Sequence, residues 1–293
     1  MVAYSVIAVR RISAWIQDRV GPNRVGIPFT NIHLWGLGQP MADGVKSILK
    51  EDFTPAHVRK IYFWLAPAIA MIPALMTLAV IPFGNTVTPG SGEANKAVIA
   101  DLNVGILYTF GIVSLSVYSI VLAGYASNSK YPFLGGIRSS AQMISYEIAM
   151  GMSIVPVFML VGELNLTKVV EYQANGAWII FKQPIAFIVF LIAAFAETNR
   201  LPFDMPESES ELVGGYNTEY SSMKFAMFFM GEYAAMIAVS AMMVILFLGG
   251  WTLPFAGLNE PAGSLGMGLI QMGIFIGKLL LFMGLFIWIR WML

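Results

Sequence analysis

Long apolar runs separated by polar connections dominate the chain. The runs fall at residues 1–9, 61–83, 104–125, 142–162, 184–196, 225–251 and 265–291. A helix rising 1.5 Å per residue needs ~20 mostly apolar residues to cross a hydrocarbon core of about 30 Å, where no water satisfies unpaired backbone groups. The pattern therefore predicts an all-α fold, a polytopic integral membrane helical bundle, with residues 1–293 as one transmembrane domain. The first run is too short to span, and the last ends on "WIRWML" without a polar tail, so the chain is expected to be trimmed at both ends.

The connections carry a second pattern. Met41, Ala42, Val45, Ile48 and Leu49 recur at helical spacing, with Asp43, Lys46, Ser47 and Lys50 on the opposite face and Pro40 available for a first turn. This predicts a short amphipathic helix, expected to lie in the membrane interface. Loops 10–60, 126–140 and 197–224, with the chain end, hold Arg10, Arg11, Arg19, Arg24, Lys46, Lys50, Arg59, Lys60, Lys130, Arg138, Arg200, Lys224 and Arg290. The alternate loops hold only Lys96, Lys168 and Lys182. Basic residues favour the cytoplasmic side of short loops. The three richer loops are accordingly expected in the cytoplasm.

Composition sharpens the class. The chain is 57% hydrophobic and 12% charged, against roughly 25% charged in ordinary soluble domains. Net charge is zero and no basic block occurs, which argues against nucleic acid as a partner. There is no cysteine, hence no thiolate for an iron–sulfur cluster and no disulfide. The histidines, His33 and His57, both fall in the first polar loop, so paired-histidine haem ligation is not expected, and no metal site is expected in this chain.

Three charges interrupt apolar runs. An ionised side chain at the bilayer centre costs ~2.5–3.5 kcal/mol on insertion scales and is retained where it meets water, a partner or a pathway. Glu147, Glu232 and Lys278 are such residues. Glu147 and Glu232 are expected in the cytoplasmic half of the bilayer; Lys278 falls mid-span, beyond snorkelling reach, and is expected to be partnered or to face a cavity. A fourth feature is "AETNRLPFDMPESESELVGGYNTEY", residues 196–220, which holds six of the seventeen acidic residues: Glu197, Asp204, Glu207, Glu209, Glu211 and Glu219. Its one cation is Arg200. Pro202 and Pro206 break any continuing helix, and Leu201, Phe203, Met205, Leu212 and Val213 are interleaved with the acids. The segment is expected to fold back on the protein as a partly dry, negative wall.

Five motifs carry a resemblance: "QDRVGPNRVG" (17–26), "QPMADGVKSILKED" (39–52), "SNSKYPFLGGIRSSAQMISYE" (127–147), the acidic window extended to Tyr233, and "FIWIR" (286–290). In this order they resemble the quinone-site membrane component of respiratory complex I, the H-subunit family of NADH:quinone oxidoreductase. The resemblance implies eight spans, with the first and last incomplete or missing here. It implies quinone as substrate, with FMN and iron–sulfur clusters in partner subunits, and contacts to peripheral-arm and membrane-arm subunits in an energy-transducing membrane, such as a bacterial inner membrane. It assigns Arg19, Asp43, Lys46, Lys50, Glu51, Arg200 and Asp204 to the quinone tunnel or its wall. It assigns Glu147, Glu197, Glu207, Glu209, Glu211, Glu219 and Glu232 to an acidic path into the membrane arm. One position departs: Val9 stands where the family usually has an acid before the basic pair Arg10–Arg11. Quinone reduction takes two electrons and two protons, and clustered carboxylates hold and exchange protons as nearby charge changes. The rival readings are the homologous membrane component of an energy-converting hydrogenase, a free-standing ion transporter with Glu147 and Glu232 as ion sites, and a purely structural anchor.

Overall fold

The computed structural model describes residues 2–26, 36–85, 96–204, 214–254 and 264–292. Among these there are ten helices and no strand: α1 (Val2–Ile16), α2 (Gln39–Leu49), α3 (Lys60–Leu78), α4 (Gly105–Ala126), α5 (Lys130–Val161), α6 (Leu166–Ala174), α7 (Ile179–Lys182), α8 (Pro184–Glu197), α9 (Ser222–Phe247) and α10 (Leu265–Met292). Five of them, α3, α4, α5, α9 and α10, are long and apolar enough to cross a membrane, and α8 is a shorter apolar helix. The protein is a multi-pass helical membrane protein.

α9 is the axis of the bundle. Its most apolar stretch is 78% buried inside the protein, against 22–33% for the other four long helices. A helix apolar on every side buries well only when surrounded, and α9 packs against α1, α2, α3, α6, α7, α8 and α10. Around it Phe190 and Phe247 meet at 5.7 Å and Phe195 and Phe286 at 4.1 Å between ring centroids. The outer helices turn Ile61, Met152, Met159 and Leu281 outward, as a lipid-facing surface does.

The polar connections collect at two ends. At one end Asn128 Nδ2 donates to His57 O (3.1 Å), Ser222 Oγ donates to Ser47 O (2.8 Å) and Lys50 O (3.0 Å), and Arg59 N donates to Ala126 O (3.0 Å). At the other, Asn165 caps α6 through the N–H groups of Thr167 and Lys168, and its amide reaches Asp101 at 2.9 Å. Lys96 also bonds Asp101, and this cation is the main cause that holds the Asp101 carboxyl below its usual range. The α4–α5 turn closes tightly: a Cβ on Gly124 would lie 2.8 Å from Pro132 O.

Several helix ends differ from those read off the apolar runs. α1 continues through Arg10 and Arg11 to Ile16, past the short run at 1–9. The stretch 130–140, read as loop, is the first part of the 32-residue α5. α3 stops at Leu78, where the run reached 83. α3 ends before Pro82, which has no N–H to continue the ladder and disfavours helix at the residue before it, whereas α1 and α5 share one physical reason. Apolarity marks where lipid or core is, whereas a helix extends for as long as its backbone can bond, and polar "RSSAQ" bonds as well as apolar residues do. α2 forms where the amphipathic spacing put it, with Pro40 in its first turn and Met41, Ile48 and Leu49 exposed.

Candidate functional site: a carboxylate-lined cavity inside the bundle

The site begins where α8 ends. Glu197 is its last residue, and Asn199, at φ 46°, turns the chain back. Gln142 on α5 pins this turn: its Nε2 donates to Ala196 O and Phe203 O, both at 2.9 Å. Asn199 Nδ2 donates to Ser139 Oγ at 3.1 Å, and Phe203 packs edge-on to Tyr146 at 5.3 Å. The described part of the acidic window therefore folds back on α5. So does its far side, where a Cβ on Gly135 would lie 3.0 Å from the Gly215 backbone.

This turn delivers Arg200 into the protein. Arg200 is 4% exposed. Its Nε lies 2.7 Å from Glu232 Oε1 on α9, and its guanidinium stacks 4.6 Å over the Tyr233 ring. A buried charge needs a partner and further polar contact to be held without water, and the ion pair with the aromatic face supplies both.

Behind the pair lies a cavity of ≈80 Å³ between α3, α4, α5 and α9, lined by Glu197 and Glu232, by the hydroxyl residues Thr77, Ser116 and Ser119, and by Tyr216 and Phe228. The volume is enough for water molecules, and the lining supplies polar partners for them. A smaller cavity of ≈20 Å³ on the far side is lined by Thr109, Phe110, Met150, Phe190 and again Glu197. Glu197 thus stands between the two. Its Oε2 is buried with no hydrogen-bond donor among the described residues, and the neighbouring charge acting on it is Glu147. Glu147 in turn accepts a hydrogen bond from Ser114 of α4. The order of groups is Arg200, Glu232, cavity, Glu197, Glu147, Ser114.

The first-loop candidates form a second group. Asp43 accepts from Arg10 Nη1 (2.8 Å) and Gln39 Nε2 (2.9 Å), joining α1 to α2. Arg19 donates to Gln17 at 2.8 Å, and Lys46, Lys50 and Glu51 are exposed. α9 connects the groups: α2 is tied to Ser222 and Arg200 to Glu232, ten residues or ~15 Å further along the same helix. Val9 is buried in the core. Asp204 is half-buried beyond the turn and Glu219 half-buried in the turn before α9. Glu207, Glu209 and Glu211 lie outside the described residues. Lys278 is partnered, by three backbone carbonyls at the end of α9. Among the described residues no cluster of metal-ligating side chains occurs.

Five residues were missed in the sequence. Ser114 is a polar residue inside an apolar helix, and Ser139 and Gln142 sit in the polar first part of α5. Lys224 looked like a loop cation, yet it is buried, bonded to Asp52 and Thr54 at 3.0 Å and seated 3.8 Å over the Trp64 ring. Beside it Tyr220 stacks on Phe63 at 4.1 Å, and burial pushes its phenol pKa up.

The whole chain, residues 1–293, matches the family model described as NADH dehydrogenase. It is 53% identical over 261 residues to the second H subunit of NADH-quinone oxidoreductase from Geobacter metallireducens, covering 85% of this chain and 73% of the relative. It is 48% identical to the H subunit of Leptospira biflexa over 301 aligned positions, covering 100% and 82%. It is 45% identical to the first H subunit of Cytophaga hutchinsonii over 293 positions, covering 99% and 82%.

Proposed function

Because the chain belongs to the NADH dehydrogenase family, among the H subunits of NADH-quinone oxidoreductase, we propose that it forms part of the quinone tunnel and passes charge changes from quinone reduction into the membrane arm. Arg19, Asp43, Lys46, Lys50 and Glu51 line the approach on the α1–α2 side, and Arg200 and Asp204 shape the inner wall. Electrons come from FMN and iron–sulfur clusters of partner subunits, since this chain has no cysteine to ligate a cluster. Peripheral-arm subunits dock on the loop end bearing α2, and the setting is a bacterial inner membrane.

The observation that carries this reading is the sequence of buried and half-buried groups from Arg200 to Glu147. Reduction of a quinone to a quinol consumes two protons and places negative charge on the headgroup before they arrive. Charge at the inner wall acts on Arg200, and Arg200 is ion-paired with Glu232 at 2.7 Å. Weakening that pair changes the field at the cavity carboxylates, because charges act strongly on one another where little water screens them. Glu197 and Glu147 extend the response toward α4. Glu207, Glu209, Glu211 and Glu219 supply the acidic wall from which protons enter.

Arg200→Ala tests the assignment. Quinone reduction by the assembled complex is expected to fall about tenfold or more, the loss of one charged contact. Electron transfer from NADH to an artificial acceptor that bypasses the quinone cavity is expected to stay normal. Loss of both activities in a normally assembled complex would remove Arg200 from the quinone step.

A further inference from the structure

Lys278 sits in the middle of α10, thirteen residues or ~20 Å from the helix start at Leu265. The structure places its Nζ 2.7 Å from Leu248 O, 2.9 Å from Gly250 O and 2.5 Å from Thr252 O. An ammonium has three N–H donors and no acceptor, so the three carbonyls use all of them. The Trp178 ring lies alongside, 4.4 Å from Nζ to its centroid, and the face of such a ring attracts a cation. Leu248 is the C-cap of α9, at the negative end of its dipole, and Gly250 and Thr252 lie in the turn that follows.

The cage is built by the chain around it. Gly249 and Gly250 both have positive φ (68° and 56°), a tight turn that brings the alternate carbonyls of Leu248, Gly250 and Thr252 to one point. Neither accepts a side chain: a Cβ on Gly249 would collide with Thr252 Oγ1 and lie 2.9 Å from Trp178 Nε1, and one on Gly250 would lie 2.9 Å from Val170 Cγ2. Gln173, 1% exposed, caps the turn before, donating to Ile245 O at 2.8 Å and accepting from Ile179 N at 3.2 Å. The end of α9 and the turn after it are thus held by side chains from α6 and α10.

We propose that the carbonyls of Leu248, Gly250 and Thr252 with the Trp178 ring form a site for a primary-ammonium cation, filled by Lys278, and that this fixed cation locks the end of α9 to α10. With every N–H engaged on a carbonyl, Lys278 is a tethered ligand. The lock acts on the helix that bears Glu232, yet the inference stands apart from the proposed function, because it concerns how α9 is held.

Chemical rescue tests it. Lys278→Ala removes three methylenes and the ammonium, the shape of propylammonium. The assembled Lys278→Ala complex is expected to inactivate about tenfold faster on heating, the consequence of losing one charged hydrogen-bonded contact. Propylammonium is expected to restore the native rate, whereas tetramethylammonium at equal ionic strength, which has no N–H donor, is not. Lys278→Met fills the slot without charge; it is expected to be as labile as the alanine variant and unresponsive to propylammonium. Native inactivation rates in both variants, or equal rescue by tetramethylammonium, would overturn the proposal. If Lys278→Ala does not assemble, cells are grown with propylammonium: recovered assembly supports the site and none refutes it.

Discussion

At the scale of single residues, the buried ion pair is the most consequential contact. Arg200 and Glu232 are 5% and 16% exposed at their side chains. Removing one partner of such a pair leaves an uncompensated charge and costs about 3–5 kcal/mol, whereas replacing both with neutral groups costs far less. Glu232→Gln alone is therefore expected to destabilise the assembled protein more than the double variant Arg200→Met/Glu232→Gln, read as thermal denaturation of the purified complex. A double variant no better than the single would show that the two side chains do not depend on one another. At the opposite end of the bundle, Asp101 has its carboxyl pKa lowered first by the hydrogen bond from Lys96 and further by Asn165. A depressed carboxylate contributes stability above its unfolded pKa of ~3.9, and loses it as pH falls through the lower folded value. Asp101→Asn is expected to reduce stability at neutral pH and to flatten the acid limb of the stability profile below about pH 4. An unchanged limb would contradict the assignment. The sequence identified Glu147, Glu232 and Lys278 because charge inside an apolar run stands out against its surroundings. It did not identify Gln142 or Lys224, because an amide at a helix flank and a lysine at a loop exit look ordinary until the fold surrounds them.

Among the elements, α5 shows most clearly where apolar patterning stops. Its 32 residues extend ~48 Å, well beyond a 30 Å hydrocarbon core. The extra turns carry Ser139 and Gln142, which hold the end of the acidic window through Asn199, Ala196 and Phe203. The helical face that does this was legible only as a polar stretch before an apolar run. Gln142→Leu keeps the volume and removes the donor, leaving two carbonyls without that partner. It is expected to destabilise the turn by about 1–3 kcal/mol and to raise protease sensitivity between residues 198 and 204. Unchanged proteolysis and stability would show that the turn is held by other contacts. α2 was legible because its polar and apolar faces alternate at helical spacing, and its tie to Ser222 was not, since 172 to 175 residues separate the partners.

For the whole molecule, the architecture follows from one helix apolar on all sides, α9, surrounded by helices that each bury one face. The sequence conveys which segments are apolar, hence the fold class, but α9 differs from α3 or α10 only in how much of it neighbours cover. Among the described residues the loops gather at two ends, and basic residues concentrate at the end bearing α2. That bias predicts the α2 end to be cytoplasmic. The chain has no cysteine, so a single introduced thiol is read without background. In intact cells an impermeant thiol reagent is expected to label Lys168→Cys and to leave Lys60→Cys untouched until the membrane is opened; the reverse would invert the topology.

The coupling we propose between quinone reduction and the membrane arm rests most heavily on Glu197, because it is the carboxylate that lines both cavities. Glu197→Gln preserves size and hydrogen-bonding capacity while abolishing ionisation. The direct measurement is quinone reduction together with proton translocation by the fully assembled Glu197→Gln complex in reconstituted vesicles. Parallel loss of both, by about tenfold or more, with electron transfer to an artificial acceptor intact, is the predicted result; near-native quinone reduction with an unchanged proton-to-electron ratio would contradict it.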